Sequence, residues 1–426
     1  MNSAQAPQCR FALLEPFRLP DFTWTWASVL LANTGRYGVV LVGGDEAFQA
    51  THSSLWSSLV VMLLLAPTLV FGPIAGVLAD RHSRKLIMRL ACGVAVVGCL
   101  AGALIPGSAT VRLGVVVGAA MVVGSAQSLF SPSWQALIPS ILGERKLLAG
   151  GGFTRVAMQG GEFVGPLAVT PIVAVLGIKP GFVFCAAAYA TAGALTLRLS
   201  TPERPVAAPA TVLRRVAEGV SYICRNRRLA GVLTLTGFHC ALTMAFLGML
   251  PALAAGQLDD TSAYGPLVTT LGLGAIIGAF AVALFSHRLQ CAPLLVVSGV
   301  ASGVLLAALA AASSYTIGLV FAFLASAAQA AFMSASYSVI QTLTADHLRG
   351  RVSSVSNMLN AGSMGLLGLG WGAIADATSV PIVLGLLGTS FVVVVGVYLA
   401  SFPPLRSMAG LEHQIAVPVI HPDVAM

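Results

Sequence analysis

One kind of segment recurs along this chain: a run of about 20 mostly apolar residues, the length a helix needs to cross a bilayer. Twelve such runs occur in the 426 residues, at 22–43, 55–78, 86–105, 111–131, 153–176, 182–199, 229–250, 264–285, 291–311, 315–339, 355–375 and 381–400. In lipid every backbone polar group must be satisfied within the segment, which favours helices. The expected fold is an all-α membrane protein with twelve transmembrane helices. Composition agrees: 9% of residues are charged and 57% are hydrophobic, against about 25% charged in a soluble domain. So few charges argue against a water-soluble enzyme, because they cannot cover its surface. A disordered chain, a collagen-like chain and a disulfide scaffold are excluded too.

The formal net charge is +8. Of the 23 Lys and Arg residues, all but Arg36, Arg112, Arg155 and Lys179 lie in the two tails, in the connections after spans 2, 4, 6, 8 and 10, or at adjoining helix ends. Cytoplasmic loops collect Lys and Arg. Both termini are therefore expected on the cytoplasmic side of a bacterial inner membrane. The same dispersal argues against nucleic acid as a partner. The first 20 residues, broken by Pro7, Pro16 and Pro20, do not read as a removable signal. Seven cysteines without a CxxC pair give no metal or disulfide framework.

A polar stretch, Ser200 to Arg228, divides the spans into two groups of six. The expected organisation is a cytoplasmic tail at 1–20, a six-helix bundle at 21–199, a linker at 200–228, a second bundle at 229–402 and a tail at 403–426. Within the linker, Val212, Val216, Val220 and Ile223 recur at helical spacing among arginines. That pattern predicts an amphipathic helix on the membrane surface, tethering the halves. Sliding the chain on itself by 202 residues places Gly72 and Gly76 on Gly274 and Gly278, and Ala126–Phe130 on Ala328–Phe332. Two homologous bundles facing each other would hold a substrate near the bilayer midplane.

The end of span 2 and its loop read Gly72-Pro-Ile-Ala-Gly76-Val-Leu-Ala-Asp80-Arg81-His-Ser-Arg84-Lys85. This resembles the signature loop of the major facilitator superfamily. The resemblance implies that Gly72 and Gly76 allow close packing. It also implies that Asp80, Arg81, Arg84 and Lys85 serve a charge relay with the cytoplasmic end of span 11 that gates the inner side. In the repeat, Asp80 and Arg81 fall on Val282 and Ala283, so that relay has no copy. In span 5, Gly161, Gly165 and Pro166 resemble an element typical of exporters, without its closing glycine pair. The segments Asp346–Val352 and Gly370–Asp376, with the surface helix before span 7, resemble the branch holding the enterobactin exporter and the macrolide efflux proteins.

An ionisable group at membrane depth defaults to a functional candidate. Glu162 lies about 13 Å into span 5 and Arg36 about 21 Å into span 1, at 1.5 Å per residue. Arg155 shares a helix face with Glu162. Glu162 is expected either to couple protons, tuned by Arg36 or Arg155, or to form a fixed ion pair with one of them. Arg36 stands where many relatives of the resembled branch carry an acidic residue, which favours an anionic substrate. Gln127 and Gln329 are repeat mates in spans 4 and 10, cavity-lining spans in the resembled fold. They are expected to orient substrate or to bond between helices. His239 in span 7 is a further cavity candidate or a satisfied core residue.

The reading that follows is a proton-driven antiporter exporting a siderophore or a drug, hence a contributor to siderophore export or multidrug resistance. It would act as a monomer in the bilayer without cofactor or metal. Nutrient uptake is the rival within transport. A non-transporting sensor and a membrane-embedded transferase are rivals from other classes. The chain carries no phosphate-binding GxxxxGK[ST] loop, and no two of its seven histidines share a span.

Overall fold

The computed structural model describes residues 15–71, 82–104, 109–142, 147–200, 212–256, 263–285, 291–345 and 348–401. Among the described residues every long element is a helix. Eleven helices among the described residues are long and apolar enough to cross a membrane. Span 1, Pro20–Thr51, has 32 residues and occupies the place of the twelfth. Its helix carries Asp21, Asn33, Arg36, Asp45 and Glu46, which keep it outside the eleven.

The remaining spans are 2 (Ser54–Phe71), 3 (Arg84–Ala103), 4 (Ala109–Leu142), 5 (Leu147–Leu176) and 6 (Ile178–Leu195). In the second half they are 7 (Arg227–Gly256), 8 (Tyr264–Phe285), 9 (Cys291–Ala310), 10 (Tyr315–Leu343), 11 (Arg349–Ala377) and 12 (Val380–Ser401). Polar caps set several starts. The Leu86 amide donates to Ser83 Oγ at 3.2 Å, and the Leu229 amide donates to Asn226 Oδ1 at 3.2 Å. Each bond satisfies one of the four orphan amides that open a helix. Span 4 runs eleven residues past its expected end, through Pro132 and Pro139. Its polar stretch Ser131–Gln135 reads as loop in sequence, but Ser133 Oγ returns its proton to the Leu129 carbonyl at 2.9 Å and stays within the helix.

Spans 5 and 11 start 202 residues apart, as do spans 6 and 12. Packing repeats with the same period. Span 1 lies on spans 5 and 6, and span 3 on spans 4 and 6, while spans 7 and 9 lie on the equivalent partners. Between the halves, span 2 packs on span 11 and span 5 on span 8. The repeat exchanges one crossing for the other.

The surface helix, Val212–Arg225, is fixed to the second half. Arg351 on span 11 pairs with its Glu218 at 2.8 Å. Tyr222 donates to the Leu343 carbonyl at 3.3 Å, and Ile223 is buried. Val220, expected on the apolar stripe, is instead exposed, because Gly219 is the residue set against span 11.

Candidate functional site

The two crossings bring the halves together, so they are the places where relative motion must be decided. One end of the bundle carries Arg18, Arg84, Lys85, Arg89, Arg198, Arg225, Arg227, Arg228, Arg349 and Arg351 and is called the basic face here. At the opposite face, Asp376 ends span 11. Its carboxylate accepts from the Ser54 amide at 2.6 Å, the Leu55 amide at 3.1 Å and the Ser53 hydroxyl. These donors open span 2, where the helix exposes unpaired N–H groups and the positive end of its dipole. The cap thus comes from the other half of the molecule. Nearby, Gly372 faces the Ser54 carbonyl and the Ser58 hydroxyl, and a Cβ there would lie 2.5 Å from Ser58 Oγ. Span 11 is buried at Val352, Gly365, Gly368, Gly372 and Ala375, and residues 353 to 364 between them are half-buried or exposed. The crossing is closed at the opposite face, and toward the basic face a Cβ on Gly362 would still lie 3.0 Å from Leu69 Cδ2 of span 2.

The second crossing is built from glycine and backbone. A Cβ on Gly272 would lie 2.6 Å from Phe163 Cα and 2.8 Å from the Glu162 carbonyl. Pro166, four residues on, has no N–H to give that carbonyl. On its other side, span 5 meets span 1. A Cβ on Gly165 would lie 2.6 Å from the Thr34 carbonyl, and one on Gly161 would lie 2.8 Å from the Thr34 nitrogen. The segment Gly161–Pro166 is therefore held between span 1 of its own half and span 8 of the other. Toward the opposite face, Tyr264 donates to the Val40 carbonyl at 3.4 Å. Arg112 on span 4 lies 3.3 Å from the buried Glu46 of span 1.

Span 7 is interrupted. A π-helical turn at Cys240–Met244 follows His239, and a 3₁₀ turn at Leu247–Met249 precedes the resumed helix. A π turn shifts the hydrogen-bond register and frees carbonyls. Two side chains from the neighbouring spans take them up. Gln329 Nε2 donates to the Thr243 carbonyl at 2.6 Å, and Trp371 Nε1 donates to the Ala241 carbonyl at 3.0 Å.

The residues singled out in sequence are distributed as follows. Gly72, Gly76, Asp80 and Arg81 lie outside the described residues, as does the Arg155 side chain. Arg84 donates to the Ala136 carbonyl at 2.6 Å, and Lys85 donates to the Leu199 carbonyl at 2.9 Å. The Lys85 bond caps the end of the turn that follows span 6, and the Arg84 bond ties span 3 to span 4, both within the first half. Arg36 does not pair with Glu162; its guanidinium lies over the Tyr37 ring, 5.7 Å from the centroid. Gln329 is committed to the π turn, while its repeat mate Gln127 is buried with Oε1 unbonded. The two amides are not joined. His239 departs from its expected place at a cavity. It is fully buried, stacked on Phe332 at 4.0 Å and edge-on to Phe391 at 5.1 Å, with both ring nitrogens unbonded. A ring sandwiched in this way is packing. In sequence, Trp371 and Asp376 stand out only as members of the Gly370–Asp376 segment, with no role assigned, and the π turn does not stand out at all. An acid closing an apolar span, 322 residues from the serine it caps, has no local signal beyond its charge.

Comparison with known proteins agrees with this architecture. The chain is similar to the enterobactin exporter EntS of Salmonella choleraesuis (strain SC-B67), 24% identical over 359 residues, covering 81% of this chain and 85% of that one. It is similar to EntS of Shigella flexneri, 25% identical over 344 residues, covering 77% and 80%. In fold it resembles the crystal structure of a POT family transporter in complex with a thioalcohol-conjugated peptide, with a TM-score of 0.75 at 11% identity over 90% of this chain and 96% of that one. It also resembles the nucleoside transporter NupG, with a TM-score of 0.69 at 13% identity over 89% and 99%. The profile of the transmembrane secretion effector family matches residues 11–426. The chain belongs to that family and is a membrane transporter of the major facilitator type.

Proposed function

We propose that the protein exports a small molecule across the bacterial cytoplasmic membrane by alternating access, driven by the proton gradient. It would act as a monomer and without a bound cofactor. The observation that carries the reading is the seal at the span 2–span 11 crossing, where Asp376 of one half caps the start of span 2 of the other at the face away from the basic residues. With the basic face in the cytoplasm, as the Lys and Arg distribution favours, this is a state closed to the outside. An exporter loads its cargo in that state.

Glu162 is the coupling carboxylate in this reading. Its backbone lies against Gly272 of the other half, so a change of charge there acts at a moving contact. Arg36, within span 1 and without a carboxylate partner among the described residues, supplies the cation for an anionic cargo. The relatives named enterobactin exporters support a catecholate siderophore as that cargo.

The test uses everted membrane vesicles with an acidified lumen, offered enterobactin or a macrolide. Accumulation of enterobactin that collapses with an uncoupler, and is lost in Glu162→Gln, is the expected result. Accumulation only in right-side-out vesicles would reverse the direction. Undiminished proton-coupled accumulation in Glu162→Gln would remove the coupling role.

A further inference from the structure

Where the surface helix turns into span 7, Tyr222, Arg225, Asn226, Arg227 and Arg228 line an open cavity of about 590 Å³. Three of its five lining residues are arginines, and no acidic side chain lines it. None of the three guanidiniums forms an ion pair among the described residues. The acid on the same helix, Glu218, is already engaged by Arg351 at 2.8 Å. The walls are held in place. Asn226 caps span 7 by accepting from the Leu229 amide. The Tyr222 hydroxyl donates to the Leu343 carbonyl and accepts from the Ala345 amide, each at 3.3 Å, which ties the cavity to the end of span 10.

Uncompensated arginines call for an anion. Their forked donors match phosphate oxygens in pairs. The cavity sits where span 7 begins, which places it at the level of the lipid headgroups on the basic face. Basic pockets at that level recruit anionic headgroups from the adjoining leaflet. We propose that Arg225, Arg227 and Arg228 bind the phosphate of an anionic phospholipid headgroup. The site is separate from the crossings between the halves and does not depend on cargo or direction of transport.

The test is native mass spectrometry of the full chain in detergent, offered phosphatidylglycerol and phosphatidylcholine in equal amounts. One phosphatidylglycerol should be retained in preference. The triple variant R225Q/R227Q/R228Q should weaken that retention by about tenfold to a hundredfold, from three headgroup-level charges. The three side chains are exposed, and monodisperse elution of the variant checks its fold. Arg18→Gln, at another exposed basic position of the same face, should leave retention unchanged. Equal retention of the two lipids would overturn the proposal. So would unchanged retention in the triple variant, a loss in Arg18→Gln as large as in the triple, or equivalent displacement by inorganic phosphate.

Discussion

Asp376 accepts from three donors at the start of span 2, and two of them are backbone amides that no other helix residue can satisfy. Removing such a cap costs about 1–2 kcal/mol. Asp376→Ala should therefore shift the molecule toward opening at that face by about 5- to 30-fold. A cysteine placed at Ser58, buried under Gly248 and Gly372, would report it through faster alkylation; an unchanged rate would show that the cap does not hold the face closed. Gly272 allows a second test. Gly272→Leu must displace the backbone of span 5, a clash worth about 1–3 kcal/mol, whereas Gly114 has open space around its Cβ position. Gly272→Leu should lower the melting temperature and Gly114→Leu should not. At this scale the sequence was only partly legible. Glu162 is conspicuous because it interrupts an apolar run. Asp376 is not, because an acid at a span end looks like a loop residue until its distant partner is seen. His239 was conspicuous but left two readings, cavity or core, because a lone polar ring inside a span gives no sign of the aromatic rings around it.

Helices were legible wherever the apolar run was continuous. Spans 8, 9 and 12 lie within a residue of their expected bounds. Span 4 exceeded its reading because hydroxyl side chains bonded back to the helix, and polarity alone does not reveal that. The interruption in span 7 had no sequence signature at all. Its Cys-Ala-Leu-Thr-Met segment is ordinary apolar helix by composition. The register shift is fixed by tertiary donors, Gln329 and Trp371, on two other spans. Gln329→Ala leaves the Thr243 carbonyl without its donor, a loss of about 1–3 kcal/mol. Trp371→Phe does the same for the Ala241 carbonyl. Thermal unfolding of the two single variants and the double variant should show less than additive loss, because both act on one turn. Full additivity would mean that the two bonds hold independent structures.

For the whole molecule, the two-fold organisation was readable from the 202-residue repeat, and the starts of spans 5 and 11 and of spans 6 and 12 follow it. The repeat did not reveal how unlike the two crossings are. Among the described residues, the span 2–span 11 crossing is fastened by a carboxylate. The span 5–span 8 crossing relies on Gly272 against bare backbone beside Glu162. The repeat mate of Asp376 is Ala174, so span 5 has no carboxylate at the matching position. A rigid fastening at one crossing and a smooth contact at the other suit a rocking motion in which one breaks and the other slides. Pulsed electron–electron spin resonance on two labelled pairs measures that motion most directly. One pair, Gln49→Cys with Thr378→Cys, spans the opposite face; the other, Gln135→Cys with Ser354→Cys, spans the basic face. In the otherwise native chain the first distance should be short and narrowly distributed and the second long. Asp376→Ala should lengthen the first and shorten the second together. Distances that change in the same sense, or that ignore Asp376→Ala, would contradict alternating access governed by this crossing.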